Sequence, residues 1–293
     1  MAETLIKSVK KYFSLVTFSH TIFAMPFAFI GFFIGVHEAL QTEQQIDWKK
    51  FIYVVLCMIF ARNAAMGFNR YSDRYIDSKN PRTALREIPS GLLRAFSVIV
   101  FVIVNCTLFI LCTYFINRLV FYLSPLALLV ILSYSFTKRF TALSHFILGL
   151  GLSLAPIGAY LSVTGKFSML PVIFSLAVLF WVSGFDIMYA LQDEEFDKSE
   201  NLKSLPAHLG KKAALNLSLI LHALTAIIIL IAGFYASFKY LYLTGALIFI
   251  GLLFYQHTIV KHDDLSKLSI AFFTTNGIAA LIFAFFTILD LLI

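Results

Sequence analysis

Long apolar runs separated by short polar breaks make up almost the whole chain. Runs near the 20 residues that a helix needs to cross lipid fall at 15–36, 50–69, 95–116, 119–136, 143–163, 169–190, 213–235, 240–259 and 268–289. A backbone in hydrocarbon must satisfy its own hydrogen bonds, so these runs predict nine transmembrane helices. The fold class is all-α, a polytopic membrane bundle forming one domain over 1–293. Two formal charges lie deep within the runs, Arg62 and Asp186, and an ionisable group there costs enough to be a functional candidate. His20 and His145 also lie in runs and read as hydrogen-bonded core histidines rather than metal ligands.

The polar breaks are asymmetric. With the N-terminus in the cytoplasm, 17 Lys and Arg residues fall on the inner side, among them Lys7, Lys10 and Lys11, against five on the outer side. Positive charge on inner loops sets orientation, so the sequence predicts an integral protein of a bacterial-type inner membrane whose C-terminus is on the opposite side. Two connections, 70–94 and 191–212, are longer than a bundle requires, and both fall on the inner side. Long loops on one face of a tight bundle tend to carry function.

Composition agrees with a lipid environment: 60% of residues are hydrophobic and 13% charged, too few charges for a water-exposed surface. The 32 Phe and 13 Tyr suit lipid-facing helices or an apolar channel. The net charge of +7 is spread over loops rather than gathered in a basic domain, so no nucleic-acid partner is expected. Cys57, Cys106 and Cys112 sit in apolar runs without C-x-x-C spacing and read as core residues.

The chemistry lies in the long connections. If the helix of run 50–69 continues, Asn69, Asp73 and Asp77 recur every four residues and share one face, about 6 Å apart along the axis. Pro81 disfavours helix at Asn80, which puts this ladder in the last turns. Carboxylates there oppose the helix dipole, so a bound cation is the better reason for them. The helix of run 169–190 ends in the second segment, where the i, i+7, i+11 spacing of Asp186, Asp193 and Asp197 keeps three carboxylates on one face. Asp73 and Asp193 are 120 residues apart, as are Asp77 and Asp197, a weak parallel repeat ending at one face.

Two facing acidic ladders repel unless neutralised, and the nearby cations look too few in fixed geometry to do so. Mg²⁺ prefers oxygen ligands and bridges one or two carboxylates to a phosphate, which points to a diphosphate held between the ladders. Arg62 lies on the Asn69 face, seven residues earlier. Arg70, Arg74, Lys79, Arg82, Arg86, Lys138, Arg139, Lys198 and Lys203 supply further cations around the mouth. Glu87, Glu194, Glu195 and Glu200, taken singly, read as solvated loop charges.

These motifs resemble the UbiA superfamily of intramembrane aromatic prenyltransferases. The resemblance rests on Asn69–Asp77 with the following Asn80-Pro-Arg-Thr and Arg86-Glu-Ile-Pro-Ser-Gly91, on Asp186–Asp197, and on Lys203-Ser204. Tyr134-Ser-Phe-Thr-Lys-Arg-Phe140 and Tyr189-Ala-Leu-Gln-Asp193 are most similar to its 4-hydroxybenzoate polyprenyltransferase branch. The resemblance implies a first metal-diphosphate motif of Asn69, Asp73 and Asp77, and a second of Asp193 and Asp197. It also implies Mg²⁺, two ions bridging the diphosphate, and transfer of a polyprenyl chain to an aromatic ring in quinone synthesis. The partners are then a prenyl diphosphate, a small aromatic acceptor and the bilayer. Related enzymes use other acceptors in menaquinone synthesis, which stays open, as does the acceptor's carboxylate partner, for which Lys138 and Arg139 are candidates. Asp193 is the first choice for the base that removes the ring proton. The competing class is a cation-coupled transporter, whose acids belong near the bilayer midplane rather than at helix ends.

Overall fold

The structure, a computed structural model, describes residues 11–12, 14–16 and 25–293. Every regular element among them is helical, as apolar runs in lipid require. In chain order they are α1 (Met25–Gln41), α2 (Lys49–Lys79), α3 (Ala95–Ile116), α4 (Arg118–Thr137), α5 (Ser144–Thr164), α6 (Met169–Ala190), α7 (Glu194–Ser199), α8 (Leu205–Leu209), α9 (Lys211–Tyr235), α10 (Tyr240–Ile259) and α11 (Asn276–Leu292). A 3-10 turn, Leu191–Asp193, joins α6 to α7, and a π-helical turn, Ile270–Thr275, leads into α11.

Among the described residues, eight helical stretches are long and apolar enough to cross a membrane. The ninth expected span is represented by α1, an apolar helix of 17 described residues. Most of its predicted beginning lies outside the described residues, as do Lys7, Lys10 and His20.

Close helix packing uses small residues, as lipid-embedded bundles require. α1 lies against α5 and α11, α5 against α6, and α6 against α9. At Gly31 a β-carbon would stand 2.0 Å from the carbonyl oxygen of Pro156 in α5, so only glycine permits this crossing. α6 is the most enclosed helix; Trp181 packs against Phe27, Phe185 and Phe249, and its indole N–H donates to Asn276 Oδ1 at 2.9 Å. Asn276 also donates to the carbonyls of Ala271 and Phe272 in the π-helical turn, supplying a donor where the α-helical pattern is broken.

α2 is 31 residues long, or about 46 Å at 1.5 Å per residue against a hydrocarbon core of about 30 Å. Its last turns therefore project beyond the membrane core, carrying Asp73 and Asp77. It ends at Lys79 with Asn80 extended (φ −85°, ψ 117°), as the following proline dictates. The first long connection is thus residues 80–94, with 70–79 helical.

On the other side of the bundle, α2, α3, α4 and α5 do not close completely. They leave an apolar cavity of about 450 Å³ whose lining runs from Arg62 and Tyr134 to Phe167. Its other polar side chains are Thr113 and Ser124.

Candidate active site

The first acidic ladder forms as the spacing predicts. Asn69 Nδ2 donates to Asp73 Oδ2 at 3.1 Å, one turn apart on α2. Asp73 and Asp77 are 1% and 4% exposed, and removing two carboxylates this far from water requires compensation. Lys138 Nζ lies 2.6 Å from Asp73 Oδ2, Arg139 Nη2 lies 3.6 Å from Oδ1, and Arg86 Nη1 lies 2.7 Å from Asp77 Oδ1. Arg139 is fixed further by donating to the carbonyl of Ser72 at 2.7 Å. The expectation of too few cations in fixed geometry is corrected here. α4 ends at Thr137, which brings Lys138 and Arg139 directly onto α2.

The second segment does not continue as one ladder. α6 gives way to the 3-10 turn at Leu191–Asp193 before α7 begins, and Gln192 Nε2 donates to the Tyr189 carbonyl at the break. The tighter turn shifts the angular register, so Asp193 and Asp197 acquire different partners. Arg82 holds Asp193 bidentately, with Nε to Oδ1 at 2.9 Å and Nη2 to Oδ2 at 2.5 Å. Asn80 Nδ2 adds a bond to Oδ1 at 3.2 Å. Asp197 is bonded instead by the Ser204 side chain. Burial is the largest single effect on Arg82 and opposes its charge, but the bond to Asp193 together with the charges of Asp193, Tyr189 and Asp77 outweighs it, so its pKa stands above the usual value. Arg82 also lies over the Tyr189 ring, 5.7 Å from its centroid.

The two acidic segments therefore meet. Residues just after α2 hold Asp193, and Lys203 N–H donates to the Lys138 carbonyl at 2.8 Å. Lys79 and Glu200 form a pair at 2.6 Å that also spans the segments, but the lysine side chain is 60% exposed and stands outside the buried cluster. Lys203 is exposed and joins the site only through its backbone. Arg74 turns away and stacks on Tyr71 and Tyr75.

Deeper in the bundle, Asp186 Oδ2 and His145 Nδ1 are 2.6 Å apart, linking α6 to α5. His145 is a bonded core histidine, as expected. Tyr134 lies within electrostatic reach of Asp73, Asp186, Arg62 and Arg70, connecting the acidic cluster to the head of the cavity. Arg62 and Arg70 each have a buried Nε without a hydrogen-bond partner among the described residues.

Two carboxylates taken as solvated are buried. Glu87, 8% exposed, accepts from Ser14 at 2.6 Å and stands 3.9 Å from Arg70. Glu194, also 8% exposed, pairs with Lys198 at 2.6 Å. Glu195 remains exposed.

No three His, Cys, Asp or Glu side chains among the described residues form a ready metal cage. Asp73 Oδ1 and Asp77 Oδ2 are nonetheless buried without a hydrogen bond. Hard, open carboxylate oxygens fit Mg²⁺, which keeps waters and completes its shell with substrate phosphate rather than requiring an all-protein cage.

Residues 24–285 match the model of the UbiA prenyltransferase family. The chain belongs to that family. A 4-hydroxybenzoate octaprenyltransferase of Aliivibrio salmonicida is 30% identical over 240 residues, covering 81% of this chain and 83% of the relative. The apo structure of a UbiA homolog from Aeropyrum pernix K1 superposes with a TM-score of 0.82 at 26% identity, covering 92% of this chain and 98% of that one. A UbiA homolog from Archaeoglobus fulgidus bound to DMAPP and Mg²⁺ shares the fold, with a TM-score of 0.74 at 20% identity over 97% and 99% of the two chains. This UbiA-family prenyltransferase is accordingly an integral membrane enzyme. Sequence reasoning missed its Asn80, Tyr134 and Tyr189 as side chains of the site, although all three stand inside the motifs that carried the resemblance.

Proposed function

We propose that this enzyme transfers a polyprenyl group from a prenyl diphosphate to a ring carbon of 4-hydroxybenzoate, with Mg²⁺, in respiratory quinone synthesis. The observation that carries the reading is the pair of buried carboxylate oxygens without hydrogen bonds on Asp73 and Asp77, linked electrostatically through Arg82 to Asp193 and through Tyr134 to an apolar cavity of about 450 Å³. The named activity of the Aliivibrio salmonicida relative supports the acceptor. The Mg²⁺ and DMAPP bound by the Archaeoglobus fulgidus homolog support the cofactor and donor class. The orientation follows the 17 to five charge split, with the polar loops in the cytoplasm.

Asn69, Asp73, Asp77, Asp193 and Asp197 would hold two Mg²⁺ ions across the diphosphate. Bound there, Mg²⁺ supplies Lewis-acid stabilisation of the departing diphosphate. Arg82, Arg86 and Lys138 neutralise the carboxylates before substrate arrives, then turn to phosphate oxygens; Arg62, Arg70 and Arg139 add positive charge from the bundle side. The cavity takes the isoprenoid tail and excludes water from the allylic cation. Tyr134 and Tyr189 offer ring faces that favour such a cation. The acidic cluster stands at the projecting end of α2, where a polar head group and a lipid tail can be held together; a transporter would need its acids near the midplane.

The test is transfer by purified protein in detergent, with labelled geranyl diphosphate, Mg²⁺ and a panel of phenolic and naphthoic acids. Acceptor-dependent product with 4-hydroxybenzoate supports the assignment. Product only with a bicyclic acceptor moves the enzyme to menaquinone synthesis, and ion flux in liposomes without transfer overturns the reading.

A further inference from the structure

Loss of the ring proton needs a base, and Asp193, the first choice from sequence, is bonded by Arg82 and Asn80 and is assigned above to Mg²⁺ once substrate is bound. We infer that Asp186, held by His145, is the base that takes the ring proton; this rests on the prenyl-transfer reading above.

Three features of the geometry single it out. Asp73, Asp77 and Asp193 each have a Lys or Arg partner, whereas Asp186 is paired to a histidine. It stands on α6 seven residues before Asp193, about 10 Å deeper into the bundle. It also shares the surroundings of Tyr134 with Asp73, and its side chain keeps 24% accessibility despite its place between helices.

His145 fixes the arrangement. The Leu205 N–H points to His145 Nε2 at 3.5 Å, which makes Nε2 an acceptor. Nδ1 therefore carries the hydrogen and donates to Asp186 Oδ2, leaving Oδ1 for a proton. In the step assigned here, the allylic C–O bond breaks with its electron pair leaving on the diphosphate, and a ring π pair forms the new C–C bond. The ring C–H bond then breaks, its pair restores aromaticity, and the proton passes to Asp186 Oδ1 and later to water. His145 is a positioning residue that keeps its proton throughout.

The probes are Mg²⁺, geranyl diphosphate, and 4-hydroxybenzoate with either hydrogen or deuterium at the two ring positions beside the hydroxyl. Asp186→Asn is expected to bind geranyl diphosphate with Mg²⁺ within about twofold of wild type, while turnover falls about 100-fold or more, the usual range for a lost general base. Its deuterium isotope effect should rise above that of wild type. His145→Ala should lower kcat about tenfold with KM unchanged, and His145→Gln, which retains a donor, should restore part of the loss. Wild-type turnover in Asp186→Asn overturns the inference, as does loss of geranyl diphosphate binding or slowed turnover with an unchanged isotope effect. If the wild-type protein transfers nothing to any acceptor, the parent reading falls first and this one with it.

Discussion

Lys138→Met removes the cation nearest to Asp73 and turns the site's charge compensation into a measurable quantity. At 2.6 Å and an effective dielectric near 20, the bare attraction is about 6 kcal/mol. Desolvation of Asp73, 1% exposed, and water access to Lys138, whose side chain is 29% exposed, reduce the net coupling to about 2 kcal/mol. The single substitution should therefore destabilise the protein by about 2 kcal/mol because it strands a buried carboxylate. Adding Asp73→Asn should recover most of that loss, giving a coupling energy near 2 kcal/mol in a double-mutant cycle followed by denaturant unfolding in micelles. The metal reading adds a sharper expectation: Mg²⁺ with geranyl diphosphate should stabilise Lys138→Met more than wild type, since the ion takes the vacated partner role. Additive single effects, or a Lys138→Met deficit that Mg²⁺ and geranyl diphosphate leave unchanged, would refute the reasoning.

Asp77→Asn and Asp193→Asn should each lower turnover at least about 100-fold while the protein still inserts and elutes as a monodisperse species; near-wild-type rates in either would remove that residue from the diphosphate site. Chelation with EDTA should abolish transfer and Mg²⁺ should restore it, and turnover that survives exhaustive chelation would exclude the metal. Gly31→Ala should cost about 2 kcal/mol or more, because the added carbon would meet the Pro156 carbonyl at 2.0 Å; an unchanged unfolding midpoint would mean α1 and α5 cross less closely.

Helix positions and the first ladder were legible because both depend on local periodicity: Asn69, Asp73 and Asp77 need only one continuous helix to align. The second segment was less legible because its helix is interrupted by the 3-10 turn at Leu191–Asp193, which the apolar pattern of run 169–190 does not announce. Glu87 was misread for a different reason. Its burial depends on Ser14, 73 residues away, and on Arg70 from the end of α2, and no local signal distinguishes such a carboxylate from a solvated one. The cation clamps were hidden in the same way: positive-inside topology already explains basic residues after α4, so Lys138 and Arg139 revealed a specific role only when placed against Asp73.

The two acidic segments are held by different physics, and that difference bears on how a substrate can be admitted. α6 is backed along its length by buried packing around Trp181, Phe185 and Met188, so Asp186 is set on a stiff element and Asp193 directly follows it. Asp73 and Asp77 stand on the projecting end of α2, tied to Lys138 and Arg86 by ion pairs. The cations of these pairs are partly exposed, and a buried carboxylate can exchange one cation for another as long as it is never left unpaired, whereas a packed helix cannot shift without opening voids. On the reading proposed above, an incoming diphosphate with Mg²⁺ would enter against the α2 side, where it would replace Lys138 and Arg86 as the neutralising charge, while α6 would hold the reacting end of the substrate near Asp186.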